Sequence, residues 1–519
     1  MGSLAVLKNT TTICAPLMSS SVEEMMSDML KAKAQGADVV ELRLDCLKTF
    51  DFRHDLRVLV DNKPLPVIIV YRPKSEGGEY EGDENTRLEV LRSAKELGAD
   101  YIEIELKVAF DLMEEQKFSQ RGSTKIIVSC FLDTTNSAKE DLSQLVAHIQ
   151  STGADIIKLV SNTSSITELT RIFHLLSHSQ VPLIAYSTGE RGLISQLLGP
   201  KFGGLFVYGS VDRYPVLGLP TLDSLRQAYG VEHIDADTKI FGLISKPVSH
   251  SKGPILHNPT FRYAGYNGVY VPMLVDDLND FFTVYSSPDF AGYSVGIPYK
   301  EAVIGCCDEV HPLAQSIGAV NTIVRRSSDG KLIGYNTDCE ASITAIEDSI
   351  KALGCINGEA FFPSPIAAKQ FVVVGAGGAG RALAFGAKTR GARVIIFDID
   401  FDRAKSLAQA VCGEARPFED LANFQPEKGA ILANATPIGM HPSTDRIPVA
   451  QGTLKDYRLV FDAVYTPRKT TLLRDAENAG ALIVSGVEMF LRQAIGQFNL
   501  FTGSKAPEDF MRAIVMEKF

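Results

Sequence analysis

Long apolar runs are missing from this 519-residue sequence: none approaches the roughly 20 residues that a membrane-spanning helix requires, so no bilayer span is expected. Cysteine is sparse. The eight present (14, 46, 130, 306, 307, 339, 355 and 412) include no CxxC pair and no metal-ligand spacing. That argues against a zinc site or a disulfide framework and for a reduced compartment. An excess of positive charge is also absent. Lys and Arg total 52 against 62 Asp and Glu, a net charge of −10, which points away from nucleic acid and acidic membrane as partners. The opening MGSLAVLKN is too short for a leader ahead of folded sequence, and Val6 stands where a myristoylation pattern wants Ser or Thr. The expectation is a cytoplasmic monomer acting on small molecules, with plastid targeting of a longer precursor left open. What is there is ordinary for a soluble globular chain: 45% hydrophobic and 22% charged residues, enough for two to four domains.

The most informative stretch is Phe371–Arg381, FVVVGAGGAGR. Four apolar residues read as a strand buried on both faces; a glycine turn and a helical pattern follow. Gly375 permits the tight turn, Gly377 and Gly378 let backbone N–H groups approach a pyrophosphate, and Gly380 lets the helix sit close to the strand. A second strand ends in Asp398, 23 residues after Gly375, near the spacing expected of the acid that holds an adenosine ribose. A carboxylate there accepts from the 2′-hydroxyl of NAD and repels a 2′-phosphate, so NAD is expected over NADP, with Arg403 the one nearby cation that could fold back.

Residues 11–230 alternate short apolar strands with amphipathic helices. The strand candidates are Thr11–Ala15, Asp38–Arg43, Val67–Arg72, Tyr101–Ile104, Lys125–Cys130, Asp155–Lys158, Pro182–Tyr186 and Gly204–Tyr208. Eight β–α units in this length fit a (β/α)8 barrel, in which strand C-terminal ends line the site. Those ends hold Glu41, Arg43, Arg72 and Lys158. A desolvated lysine there can have a depressed pKa and form a Schiff base with a ketone, while the arginines hold a carboxylate. The plainer alternative is an outward-pointing lysine with two structural arginines.

VVELRLDCLK (39–48), YRPKSEGGEYEG (71–82) and ADIIKLV (154–160) resemble type I 3-dehydroquinate dehydratase, which uses a Schiff-base lysine; the resemblance places it at Lys158. That family also has a histidine acid/base in a sequence like VSSHN. Here the stretch reads VSCFLD, with Phe131 at the histidine's place, and phenylalanine transfers no proton. Pro215 and Leu219 stand where the family has a substrate-binding serine and glutamine, and Gln196 where some members have arginine. The expectation is a weak or inactive dehydratase.

From Thr238 a new α/β pattern begins, carrying SKPVSHSKGPILHN (245–258), YSVGIPYKEAV (293–303), GAVNTIV (318–324) and GYNTDCEA (334–341). This half resembles shikimate dehydrogenase, and the whole chain resembles the plant bifunctional dehydroquinate dehydratase–shikimate dehydrogenases. The resemblance implies Lys300 and Asp338 as the catalytic pair. Lys300 would take the hydroxyl proton as hydride leaves, and Asp338 would orient it. Ser251, Asn321, Tyr465 and Gln493 would bind substrate; Thr436 and Met440 in NATPIGM (434–440), with Gly486, would lie by the nicotinamide. The implied division is a barrel over 11–232, a substrate domain over 238–343 completed by helices in 487–519, and a nucleotide-binding domain over 344–486, with 355–370 as surface.

Two departures stand out. The family pattern SHSKSP here reads SHSKGP, with Gly253, and SVTIPHKE reads SVGIPYKE, with Gly296. Two hydroxyl groups near the substrate carboxylate are missing. The sharper expectation is that their removal leaves room for quinate, whose tetrahedral C1 carries a hydroxyl that shikimate lacks. Quinate dehydrogenase-like members resemble this pattern. The leading expectation is therefore an NAD-dependent quinate dehydrogenase with a degenerate barrel. Its rivals are the ordinary bifunctional enzyme using NADP and a non-catalytic nucleotide-binding regulator.

Overall fold

The computed structural model describes residues 11–115, 122–132, 141–211, 219–249, 251–357 and 363–518. Pro215 lies outside them. Two compact units emerge, one of residues up to 240 together with 247–289, the other of 241–246 with 290 onward.

In the first unit eight parallel strands follow one another: β1 (Thr12–Leu17), β2 (Val39–Arg43), β3 (Val67–Val70), β4 (Tyr101–Glu105), β5 (Lys125–Leu132), β6 (Ile156–Asn162), β7 (Leu183–Thr188) and β8 (Phe206–Tyr208). Their order is β7-β6-β5-β4-β3-β2-β1-β8. The Leu205 N–H donates to Leu183 O (2.9 Å), bringing the entry to β8 against β7 and nearly closing the ring. The apolar runs explain the strands: VIIV of β3 is buried throughout, as expected where a sheet is covered on both sides. Side-chain caps start the intervening helices, Ser21 accepting from Glu24 N, Asp83 from Thr86 N and Asp141 from Ser143 N. All eight sequence-derived strands are present with shifted ends; β3 stops at Val70 because Arg72 turns out into the barrel mouth. Segment 247–289 fastens to the barrel. Arg191 makes a two-pronged contact with Asp276 (2.7 and 2.9 Å), and the Tyr285 hydroxyl donates to Ile166 O. This segment holds the helix Gly253–Tyr263 and strand β10 (Gly268–Leu274); strand β9 (Lys239–Ser245) leads into it.

The second unit carries β11 (Phe290–Val295), β12 (Glu309–Val310), β13 (Thr322–Arg325) and β14 (Leu332–Tyr335), ordered β11-β13-β14-β12, with the end of β9 beside β11. A parallel sheet follows: β15 (Gln370–Val374), β16 (Arg393–Asp398), β17 (Glu414–Pro417), β18 (Ala430–Asn434), β19 (Tyr457–Asp462) and β20 (Leu482–Ser485), in the order β17-β16-β15-β18-β19-β20. The order reverses between β15 and β18, the doubly wound arrangement whose crevice takes a dinucleotide. Of the stretch 355–370, expected at the surface, residues 358–362 lie outside the described residues, and Pro363, Ala368 and Lys369 are exposed. Ser364, Pro365 and Ile366 are buried, and the Ser364 hydroxyl donates to Glu347. The chain is α/β throughout.

Candidate active site

Two sites can be built from these elements. At the barrel mouth, Glu41 and Arg43 from β2, Arg72 beyond β3, Phe131 from β5, Lys158 from β6, Tyr186 and Tyr208 line a cavity of about 240 Å³ with Leu219. Lys158 Nζ donates to Glu41 Oε2 and Glu103 Oε2, both at 2.7 Å. Arg72 donates to the other Glu103 oxygen (2.8 Å), and Arg43 grips Asp45 at 2.9 and 2.6 Å. All six charged groups are buried and balance, three against three. The sequence suggested a lysine with a depressed pKa; the structure reverses this. Burial pulls the Lys158 ammonium down, but Glu103 and Glu41 outweigh it and hold it above its ordinary range. Burial would likewise raise Glu103, and Lys158 and Arg72 hold it below the usual carboxylate range. The Phe131 ring lies over the Arg72 guanidinium, 4.0 Å from its centroid. Gln196 is also spent structurally, accepting from Tyr208 N (3.1 Å). Glu103 was missed in the sequence, although an acid inside the apolar strand YIEIE was a visible signal.

In the second unit, Lys300 Nζ donates to Asp338 Oδ2 at 2.6 Å. Asp338 opens the helix Asp338–Asn357, where the helix dipole favours its charge. Asn336 Oδ1 accepts from Asp338 N and Cys339 N, fixing that end. Asn321 sits in the same network, donating to the Thr337 hydroxyl and accepting from Thr337 N. Lys300 also lies against the glycine turn, since a Cβ on Gly378 would come within 2.8 Å of Lys300 Cδ. The glycine turn and the Lys300–Asp338 pair therefore share one place.

The turn has the expected build. Gly375 adopts φ +104°, and a Cβ on Gly380 would collide with Gly375 O. Asp398, ending β16, accepts from Ala376 N (2.5 Å) and Asp400 N (2.8 Å), so its carboxylate is tied to the turn itself. Arg403 reaches elsewhere. Its guanidinium pairs with Glu301 at 2.5 Å, though it stays near Gly377. Thr436 caps the loop after β18 through Asn434, Met440 is exposed, and Gly486 starts its helix tight against Ala463 O.

Gln493 lies on the helix Gly486–Thr502. Its amide donates to Phe490 O (3.0 Å) in its own helix. Gln497, one turn on, is the glutamine that reaches the sheet: it contacts Ser294, Asn321 O and the Thr322 hydroxyl. The four-residue spacing on one helix face was the available signal. Tyr465 is half-buried, its ring 5.1 Å from that of Phe490.

The two glycines do not leave empty space. A Cβ on Gly253 would fall 2.6 Å from the Tyr270 ring, and one on Gly296 would fall 2.6 Å from Ser245 Oγ. The expected room is taken up by Tyr270 and Ser245, because each glycine lets a neighbouring side chain move in. Ser251 Oγ accepts from Gly253 N (3.1 Å).

Residues 13–236 match the family model of Type I 3-dehydroquinase, residues 243–323 that of the shikimate dehydrogenase substrate binding domain, and residues 486–516 that of the shikimate 5′-dehydrogenase C-terminal domain. The chain is 51% identical over 511 residues to a bifunctional 3-dehydroquinate dehydratase/shikimate dehydrogenase, chloroplastic, of Arabidopsis thaliana, covering 98% of this chain and 85% of that one. It is 39% identical over 295 residues to a shikimate dehydrogenase (NADP(+)) of Methanopyrus kandleri, 55% of this chain and 97% of the relative. A solved shikimate dehydrogenase in complex with NADP+ is 33% identical with a TM-score of 0.47, covering 55% of this chain and 97% of that one.

Proposed function

The chain belongs to the bifunctional 3-dehydroquinate dehydratase/shikimate dehydrogenase family, and on that premise we propose that its dehydrogenase half oxidises quinate to 3-dehydroquinate with NAD, shikimate being a side substrate. The coarse activity, a nicotinamide-dependent shikimate dehydrogenase-type oxidoreductase fused to a dehydroquinase barrel, is the family's. The finer reading is carried by Gly296, which removes a threonine hydroxyl that the family pattern directs at the shikimate carboxylate and seats Ser245 in its place.

The chemistry follows from this chain's own residues. Lys300, held by Asp338, takes the proton of the reacting hydroxyl and passes it on; Asn321, fixed by Thr337, presents its amide to a ring hydroxyl. A dinucleotide held at the glycine turn would supply the hydride acceptor. Its pyrophosphate fits the N–H groups at Gly377–Gly378, and its ribose fits Asp398, whose charge is set against a 2′-phosphate. In the barrel, a protonated Lys158 between two carboxylates is no nucleophile, and Phe131 offers no proton, so the barrel is proposed to be degenerate. We further propose the barrel, substrate and nucleotide domains as 11–232, 238–343 with 487–519, and 344–486, in a monomer.

A second reading is the ordinary bifunctional enzyme: dehydroquinate to dehydroshikimate in the barrel, then to shikimate with NADPH. The relatives favour it, one being bifunctional and chloroplastic and the other an NADP(+) enzyme. The discriminating assay pairs quinate or shikimate with NAD or NADP and reads initial rates from reduced-cofactor absorbance. Highest kcat/KM for quinate with NAD supports the first reading; highest for shikimate with NADP establishes the second.

A further inference from the structure

Ser245 ends β9, is buried to 7% exposure, and lies where a side chain at position 296 would begin. An ideal Cβ on residue 296 would stand 2.6 Å from Ser245 Oγ and 3.0 Å from its Cβ, closer than real Cβ atoms approach. A side chain at 296 therefore cannot be added with Ser245 in its present position; Ser245 must shift. The position has not lost a hydroxyl; it has exchanged one for another on the neighbouring strand.

The two hydroxyls differ in what they can offer. Ser245 Oγ donates its proton to Ile297 O at 2.9 Å. Ile297 O is held on the other side by Lys246 N (3.0 Å), and Gly296 N donates to Ile244 O (2.8 Å), so this turn is stitched to the end of β9. With its proton committed, the serine oxygen presents only lone pairs. It can accept a hydrogen bond and has none to give. A carboxylate, which brings no proton, gains nothing from it; a tertiary alcohol does. Three residues on, the same turn carries Lys300, so a ligand bound there is held next to the proton-transfer pair.

We propose that Ser245 is a specificity-determining residue that accepts the C1 hydroxyl of quinate, the group that shikimate lacks. This deepens the quinate reading and rests on it. Ser245 discriminates by pairing a buried acceptor with a substrate donor; with shikimate that oxygen goes unmatched, a distinction that sites built on hydrogen bonds make well.

The test compares wild type, Ser245→Ala and the exchange variant Ser245→Gly/Gly296→Thr, each assayed with quinate and with shikimate at saturating NAD. Ser245→Ala is expected to lower kcat/KM for quinate about 10- to 100-fold, equivalent to about 1.4–2.7 kcal/mol, and to leave shikimate within about twofold. The exchange variant is expected to turn the preference toward shikimate. Gly296→Thr alone is expected to lose activity on both substrates, since its Cβ meets Ser245 Oγ. If Ser245→Ala lowers both substrates alike, Ser245 is only a strut for the turn and the assignment is overturned; an unchanged quinate rate overturns it equally. Absence of quinate turnover in the wild type overturns the parent reading, an outcome distinct from either.

Discussion

Lys300 Nζ donates to Asp338 Oδ2 across 2.6 Å, with the lysine chain pressed against Gly378 of the glycine turn. On the proposed reading, proton transfer and cofactor placement are coupled through this one side chain. Lys300→Ala and Asp338→Asn should each lower kcat by about 10²–10⁴, with NAD affinity retained within a few-fold by isothermal titration.

Gly378→Ala tests the same contact from the other side. The new Cβ would meet Lys300 Cδ at 2.8 Å and Lys300 Cβ at 2.9 Å, so Lys300 must move. We expect kcat to fall about 10- to 100-fold. Gly452→Ala, whose Cβ would meet nothing within 4 Å, should leave kcat unchanged.

On the proposed reading, cofactor choice turns on Asp398. Asp398→Ala removes a negative charge from the turn, and the NAD-over-NADP ratio of kcat/KM should fall about tenfold. Glu301→Ala frees Arg403 from its ion pair beside Gly377 and should raise NADP use by a few-fold, a small effect because both partners are exposed.

For the barrel, 3-dehydroquinate turnover should sit at least about 10²–10⁴ below that of an enzyme with a histidine acid/base, and borohydride should trap no adduct on Lys158 by mass spectrometry. Phe131→His alone should not produce the adduct, because the two carboxylates still hold the ammonium. Glu103→Gln removes a partner of both Lys158 and Arg72 and should destabilise the barrel by about 3–5 kcal/mol in urea unfolding.

A pH dependence follows from Asp462. Burial raises its carboxyl, partly offset by hydrogen bonds from Thr470, Val464 N and Asn434, to about 6 from an ordinary 3.8. The folded state therefore holds the proton more tightly than the unfolded chain. That contribution is complete below about pH 4 and is lost as pH rises through about 6, a change of at most ~3 kcal/mol. The Tm of wild type relative to Asp462→Asn should fall between pH 4 and pH 7.

Much of this was legible in the chain itself. Strand runs such as VIIV and the glycine turn depend on local sequence, and they appear where the pattern put them. Lys300 and Asp338 were legible through their motif neighbours. What escaped depends on contacts between distant residues. Lys158 read as a lysine with a lowered pKa until Glu41 and Glu103, 117 and 55 residues away, were seen on either side of it. Gly296 looked like vacated space until Ser245, on another strand, was found within it. Gln493 and Gln497 lie one helical turn apart on nearly the same face, and only packing against β11 and β13 separates their roles.

The ion network at the barrel mouth explains what the chain has retained and what it has let go. Lys158, Glu41, Glu103 and Arg72 come from four separate segments of the barrel and cancel one another's charge. Replacing any one strands an uncompensated charge indoors, so selection for foldability alone preserves them, whether or not turnover is still required. The residue at position 131 carries no charge in that network; its ring lies over Arg72 and packs against the barrel core. On the proposed reading of a degenerate barrel, position 131 is free to drift, while the lysine is kept by the charges that surround it.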